Sequence, residues 1–464
     1  MIMALGFLQM EAAGPEIVTE PVPPAERTMR IDRVFWSHFA PNLGPGGWVV
    51  GVLLVTLGLG FREGVLAILL GNLIGALPVA LAATIGPATG LPQMEASRRV
   101  LGRIGIRLPS FLNWMYCVGW DAVNNVPAAV ALIALLALAG AAPPFWLALG
   151  VLAGVQMAAS IYGHHVVQAL QKYLGGLLLA VFVVIGALGL RGGDLPGGGL
   201  PGGGLPGGAL AHAAHPVSLP TFLLATAILA SFNLSWASYS SDYTRYLPAD
   251  TSRPRIVRLA LAGLLLSAVP FQLLGLITAA GIGEATPTAV IAHLQHTAGW
   301  LGPVVLAAIA LSSITGNSFN DNTASYSLIS AGIRVPRVLA AIVTATLGYV
   351  VAVFGAGRYA ELYTSYLVVT LYWIAPWIGI VLADWYLIGS RPRAVPPGWT
   401  RAATIFAVTA VLTIALFSVS DLYTGPIARL LGGADIGYYV GFFGAGLLHV
   451  LSVRGARPAP PDRC

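Results

Sequence analysis

Residues 34–59 read VFWSHFAPNLGPGGWVVGVLLVTLGL, an apolar run interrupted near its middle by Pro41, Gly44, Pro45, Gly46 and Gly47. A bilayer core of about 30 Å is crossed by about 20 apolar residues in a helix. Proline removes a backbone donor, and glycine lowers helix propensity. In lipid, the freed backbone groups must be satisfied by protein, water or a ligand. The stretch therefore predicts a transmembrane helix that breaks partway across, with backbone exposed at Pro41, Asn42, Gly44 and Gly46. Broken helices of this kind build midplane solute sites in secondary transporters.

Comparable runs recur along the chain, at approximately 34–59, 61–85, 108–139, 144–163, 166–190, 219–247, 256–282, 299–331, 336–354, 360–388, 402–420 and 436–453. The reading is an all-α integral membrane protein of about twelve transmembrane helices. A membrane β-barrel would show alternating segments of roughly ten residues, whereas these runs are continuous. Composition agrees: of 464 residues 57% are hydrophobic and 9% charged, against roughly 25% charged in a soluble domain.

Charge placement fixes the expected topology. Of the 24 Lys and Arg, Arg62, Arg191, Arg358 and Arg429 alone fall in outer loops when the N-terminus is inside. Cytoplasmic loops are expected to hold such an excess. Both termini are thus expected in the cytoplasm and the chain in the inner (plasma) membrane. The net charge of +6 reflects this topology and does not indicate a nucleic-acid partner. Cys117 and Cys464 make neither a disulfide framework nor a cysteine metal site.

Residues 1–25 read as a disordered cytoplasmic tail without a signal-peptide pattern. Residues 191–218 contain LPGGGLPGGGLPGGA, a Gly/Pro repeat expected to be a flexible outer loop.

The sixth span carries SFNLSWASYSSDYTRYLP (231–248), polar and aromatic in an apolar setting. Two interrupted helices five spans apart suggest corresponding positions of an inverted repeat. Further polar stretches are YCVGWDAVNN (116–125), NSFNDNTASYS (317–327) and, with aromatic residues, TLYWIAPWIGIVLADW (370–385). In their order and spacing, together with residues 56–114, these segments resemble the nucleobase:cation symporters, particularly the purine–cytosine permeases, over roughly residues 26–390. The resemblance implies a leucine-transporter-type fold of two inverted five-helix repeats plus two helices. The expected division is 26–190 and 219–388 for the repeats and 389–464 for the extra helices and tail.

A flat heterocycle needs an aromatic face and amides for its rim. Stacking on an aromatic side chain contributes about 1–3 kcal/mol per base. Neutral amides both donate and accept, without the cost of a buried unpaired charge. Trp120 and Asn124 lie four residues apart and share a helix face. By resemblance, Trp120 is the stacking platform and Asn124 a partner for the base edge. Trp236 is the candidate for the opposite aromatic face, with Asn233, Ser235 and Ser238 beside it. An alternative alignment puts Asn233 at the stacking position. On the eighth span Asn317 and Asp321 share a face with Asn320 adjacent, and the resemblance gives Asp321 or Asn322 a substrate contact.

Coupling-ion candidates are Asp121, Asp321, Ser312, Ser313, Thr315 and Ser318. Asp121 and Asp321 are the acidic residues expected deepest in the membrane, while Asp242 is expected near the cytoplasmic end beside Arg245. In sodium-coupled relatives, first-helix carbonyls face consecutive eighth-helix hydroxyls. One alignment places Ser318 and Phe319 there, and phenylalanine cannot ligate a hard cation. That favours protons, although Ser312 and Ser313 in another register could supply oxygens.

The expected function is symport of a nucleobase (cytosine, or purines such as adenine, guanine and hypoxanthine) with H+ or Na+, without a cofactor or resident metal. Another ring solute such as a hydantoin, allantoin or a vitamin, or a passive channel, are the alternatives within transport. The lack of a Walker-type loop argues against ATP coupling within the chain. Adjacent His164 and His165, about 100° apart on a helix, make a poor metal site for an enzyme.

Overall fold

The computed structural model describes residues 20–161, 173, 175–181, 183–184, 187, 217–282, 284–390, 393–419 and 423–455. The Gly/Pro repeat, His164, His165 and most of the expected fifth span lie outside these residues. Every other expected span overlaps one or more described helices. Among the described residues, six helices are long and apolar enough to cross a membrane, or seven if the bent pair Asp32–Asn42 and Pro45–Thr56 counts as one. One of the six, Val338–Ile388, joins the expected ninth and tenth spans through a 3-10 turn at Ala356–Arg358. The chain is an all-helical, multi-pass membrane protein, and among the described residues the sole β feature is an isolated bridge between Val419 and Thr424.

The first helix breaks where its prolines and glycines cluster. Helix Asp32–Phe39 tightens into a 3-10 turn at Ala40–Asn42, Leu43 and Gly44 are extended, and helix resumes at Pro45–Thr56. Pro45 occupies the first turn, where its missing N–H costs no hydrogen bond. The halves meet at a 58° bend. The sixth helix differs from the expectation of a comparable interruption. It runs from Leu219–Leu234 through a 3-10 stretch, Ser235–Tyr239, into Ser240–Thr244. With no Pro or Gly between Ser231 and Tyr246, the backbone tightens there and does not unwind.

Glycines bring the first, second, sixth and seventh helices (Arg253–Ile282) into backbone contact. A Cβ added at Gly51 would meet Gln272 O at 2.1 Å, and one at Gly275 would meet Trp48 O at 2.2 Å. Small residues permit such close approach in membranes, where helix association rests on packing. On the second helix (Phe61–Ala82), a Cβ at Gly75 would lie 2.1 Å from Ala230 O. Gly75→Ala is therefore expected to destabilise the detergent-solubilised protein by about 1–3 kcal/mol or more through overpacking. Thermal unfolding followed by size-exclusion recovery measures it; an unchanged midpoint would refute the tight contact. Amides reinforce the group: Asn72 Nδ2 donates to Gln272 Oε1 at 2.5 Å, and Asn233 Nδ2 to Asn72 Oδ1 at 2.7 Å.

Besides the short helices Ile85–Thr89 and Pro426–Leu430, two longer helices lay outside the expected spans. Pro287–Ala298, capped by the Thr286 hydroxyl, precedes the eighth helix, Gly302–Ser330. Gln93–Gly105 lies at the arginine-rich end and ties down three helix ends. Its Gln93 N–H donates to Asp242 Oδ1 at 2.8 Å, Glu95 Oε1 accepts from Ser330 Oγ at 2.5 Å, and Arg99 pairs with Asp384 at 2.8 Å. Asp384 also meets Arg393 at 3.3 Å and His449 at 3.2 Å. Burial pushes the Glu95 carboxyl up from its ordinary range, while Arg98 and the Ser330 bond oppose the rise. The expected pairing of Asp242 with Arg245 gives way to other bonds. Asp242 accepts from Gln93 N and from Thr323 Oγ1 at 2.5 Å, and Arg245 donates to the Tyr246 and Tyr326 hydroxyls at 2.9 and 3.1 Å.

Candidate functional site

A cavity lies beside the break of the first helix. It is lined by Pro41 and Asn42 of the 3-10 turn, by extended Gly44, and by Gly46 in the first turn of the resumed helix, where the expected irregular backbone is helical. The third helix (Arg107–Ala137) contributes Tyr116, Trp120, Val123, Asn124 and Pro127, residues three and four apart that form one face. Phe232, Trp236 and Tyr239 come from the sixth helix, Ser312, Ser313 and Asn320 from the eighth, and Tyr363 from the tenth, Tyr359–Ala383.

Both tryptophans are held by neighbours. Trp120 has Tyr116, Tyr363 and Tyr366 packed edge-to-face at centroid distances of 6.1, 6.2 and 5.6 Å. The Trp236 indole N–H donates to Asn42 Oδ1 at 2.7 Å, and Asn42 Nδ2 reaches Ser267 Oγ at 3.3 Å. Asn42 thereby orients the second indole as well as lying on the broken backbone. Phe319 packs edge-on against Trp236 at 5.7 Å.

The amides divide between cavity and support. Asn124 lines the cavity and donates one amide hydrogen to Asn317 Oδ1 at 2.8 Å. Asn317 in turn donates to Gln156 Oε1 at 2.9 Å and to the Asp121 carbonyl at 3.2 Å. Asn320 also lines the cavity. Its oxygen accepts from the Tyr239 hydroxyl, and its nitrogen donates to Asp121 Oδ1 and Cys117 O, each at 3.1 Å.

Four expected substrate contacts, and Ser238 with them, do not line the cavity. Asn233 donates to Asn72, and its place in the alternative stacking alignment is correspondingly away from the site. Ser235 Oγ donates to Phe232 O at 2.9 Å, within its own helix. Asn322 Nδ2 donates to the Tyr243 hydroxyl at 3.2 Å. Asp321 lies behind the wall, accepting from Ser160 Oγ at 3.0 Å. Helical rotation accounts for the last two: Asn320 faces the cavity, and each further residue turns about 100° away.

Asp121 and Asp321 are both fully buried. Asp121 Oδ1 accepts from Asn320 and Asp321 Oδ2 from Ser160, their other carboxyl oxygens have no hydrogen-bond partner, and neither has an ion-pair partner among the described residues. Asn320 connects Asp121 to the cavity.

The serine register also differs from the first alignment. Ser312 and Ser313 line the cavity, and a Cβ at Gly44 would lie 3.3 Å from Ser312 Oγ. They donate to Ile309 O at 2.7 Å and Ala310 O at 3.2 Å, which leaves oxygen lone pairs. Ser318 Oγ bonds Thr315 O at 3.3 Å, and Thr315 Oγ1 bonds Ser312 O at 2.7 Å, both within the helix. Phe319 stacks on Tyr243 at 3.7 Å. The hydroxyl pair beside the break is therefore Ser312–Ser313, and Phe319 no longer argues against sodium.

Sequence reasoning missed Tyr116, Tyr239 and Tyr363. Tyr116 and Tyr239 were open to the periodicity argument, standing four residues before Trp120 and three after Trp236.

Residues 21–441 match the family described as permease for cytosine/purines, uracil, thiamine, allantoin. The chain is similar to the putative purine-cytosine permease YxlA of Bacillus subtilis, with 27% identity over 91% of this chain and 92% of that protein. It is 26% identical to purine-cytosine permease FCY21 of Saccharomyces cerevisiae, over 94% of this chain and 86% of that one. Among solved structures it resembles Mhp1, a nucleobase-cation-symport-1 family transporter in a closed conformation with bromovinylhydantoin bound. That match has a TM-score of 0.73 and 18% identity, covering 94% of this chain and 95% of the other. The fold is of leucine-transporter type.

Proposed function

Since the chain belongs to the family of permeases for cytosine/purines, uracil, thiamine and allantoin, we propose that it imports a nucleobase by cation symport. It is a transporter and not an enzyme. The observation that carries the substrate class is the cavity in which Trp120, Trp236, Asn124 and Asn320 meet the broken backbone of the first helix. Indoles suit the faces of a flat ring, and amides suit its rim. Cytosine and purines such as adenine, guanine and hypoxanthine fit this chemistry, and the named relatives support it. A hydantoin, allantoin or a vitamin is the second reading, supported by the breadth of the family description. Uptake of labelled cytosine and adenine into proteoliposomes tests the choice. Absence of uptake of either base and of competition by the purine panel would overturn it.

The basic end, with the helix Gln93–Gly105, faces the cytoplasm of a plasma-membrane protein in this proposal, consistent with the charge rule. Residues 26–190 and 219–388 form the two inverted repeats.

Protons are the proposed coupling ions, carried by the Asp121–Asp321 pair. Two buried carboxyls without a cation are costly to keep charged, and Asn320 connects Asp121 to the solute cavity. Sodium is the second reading, supported by Ser312 and Ser313 beside Gly44; hydroxyls and backbone carbonyls there would be its oxygen ligands. Separately imposed proton and sodium gradients discriminate the two. Asp121→Asn is expected to abolish proton-driven accumulation, by more than about tenfold, while leaving solute counterflow, since the loss is of coupling and not of the cavity. Accumulation at the wild-type level in this variant would refute proton carriage by the pair.

A further inference from the structure

The tenth helix lays three tyrosines, Tyr359, Tyr363 and Tyr366, along the third helix at spacings of four and three residues. The outer two are anchored. Tyr359 donates its hydroxyl to Val123 O at 3.1 Å, and Tyr366 donates to Tyr116 O at 2.5 Å. These acceptors stand three residues after and four before Trp120. Tyr363, between them, packs its ring edge-to-face on Trp120 at 6.2 Å.

Its hydroxyl is treated differently. Tyr363 is 2% exposed, it lines the cavity, and its oxygen has no hydrogen-bond partner among the described residues. A Cβ added at Gly46, where the first helix has just resumed, would lie 3.3 Å from that oxygen. Glycine there leaves open space beside the hydroxyl. A buried hydroxyl without a partner is costly relative to one that finds an acceptor. Phenylalanine would fill the same volume without that cost.

We propose that the Tyr363 hydroxyl is a specificity-determining contact, donating a hydrogen bond to an in-plane ring nitrogen or carbonyl oxygen of the transported heterocycle. This rests on the nucleobase-permease reading and adds to it a third polar contact, on the helix opposite the Asn124 face. Trp120 stacks the ring while Tyr363, packed on its edge, reads an acceptor on the rim. An apolar ring of the same shape, lacking the acceptor, would leave the hydroxyl unpartnered and would be selected against.

The test is Tyr363→Phe in proteoliposomes, with KM and maximal uptake rate measured for cytosine, adenine, guanine and hypoxanthine. KM for the best substrate is expected to rise about five- to tenfold, the loss of one neutral hydrogen bond, with the maximal rate retained. Inhibition constants for deaza and deoxo analogues of that substrate supply the second measurement. For the analogue lacking the acceptor, the ratio of Tyr363→Phe to wild type is expected to fall to about one. Thermal stability of the ligand-free variant is expected to equal or exceed the wild type, which separates the contact from a structural role. An unchanged KM across the panel overturns the proposal. So does a fall in maximal rate with KM unchanged, which would make the hydroxyl a gating partner for the first helix. Wild-type protein that takes up none of the four bases would instead overturn the substrate reading, and this contact with it.

Discussion

Trp120→Ala is expected to reduce nucleobase uptake by about 5- to 150-fold at sub-saturating solute, the range given by about 1–3 kcal/mol of stacking. The loss falls in KM, because a stacking face acts on the bound ring throughout the crossing. The substitution also removes the surface on which Tyr116, Tyr363 and Tyr366 pack edge-on. The helix itself should persist, since alanine has the highest helix propensity. Comparison with Trp120→Phe at matched abundance separates stacking from bulk: phenylalanine keeps a π-face and is expected to retain most of the affinity. Unchanged uptake in the alanine variant would remove Trp120 from the site.

Arg99→Ala is expected to be the most destabilising single change at the basic end, on the order of 3 kcal/mol. Arg99 and Asp384 are 11% and 4% exposed in their side chains and lie 2.8 Å apart. The same guanidinium donates to Gly389 O at 2.6 Å and sits 4.8 Å over the Trp385 ring. Alanine would leave a buried carboxylate with Arg393 and His449 alone. Because the helix Gln93–Gly105 fastens the ends of the sixth, eighth and tenth helices, the loss should also open a route to the cavity from that end. Cys117, buried next to Tyr239 at 3.4 Å, reports it. In a Cys464→Ser background, a membrane-impermeant maleimide added from the basic side should label Cys117 faster in the variant. Equal labelling together with equal thermal stability would refute the latch.

The fold was legible where the physics is local. Apolar runs need only length and continuity, and Pro41 with Pro45 and the neighbouring glycines announce a break wherever they fall. The helix Pro287–Ala298 escaped because His293, Gln295 and His296 interrupt its hydropathy. The sixth-helix interruption was overread, since polarity alone does not unwind a backbone. Trp120, Asn124, Trp236 and Asn320, singled out by residue type, helical face and the family resemblance, all line the cavity. Asn233 and Asn322 were equally polar but satisfy distant partners, Asn72 and Tyr243. Sequence shows that a buried amide needs a partner without showing which one. The serine register was ambiguous for a similar reason: hydroxyls at 312, 313, 315 and 318 all satisfy a search for oxygens.

The bend in the first helix has a consequence for biogenesis. Its broken stretch meets partners on later helices, Asn42 accepting from Trp236 of the sixth and Gly44 lying beside Ser312 of the eighth. Ribosomal synthesis delivers the bent segment first and Ser312 much later. Through that interval the opened backbone has no native neighbour in lipid, so the nascent first helix must stay shielded within the insertion machinery, or remain straight, until the later helices arrive.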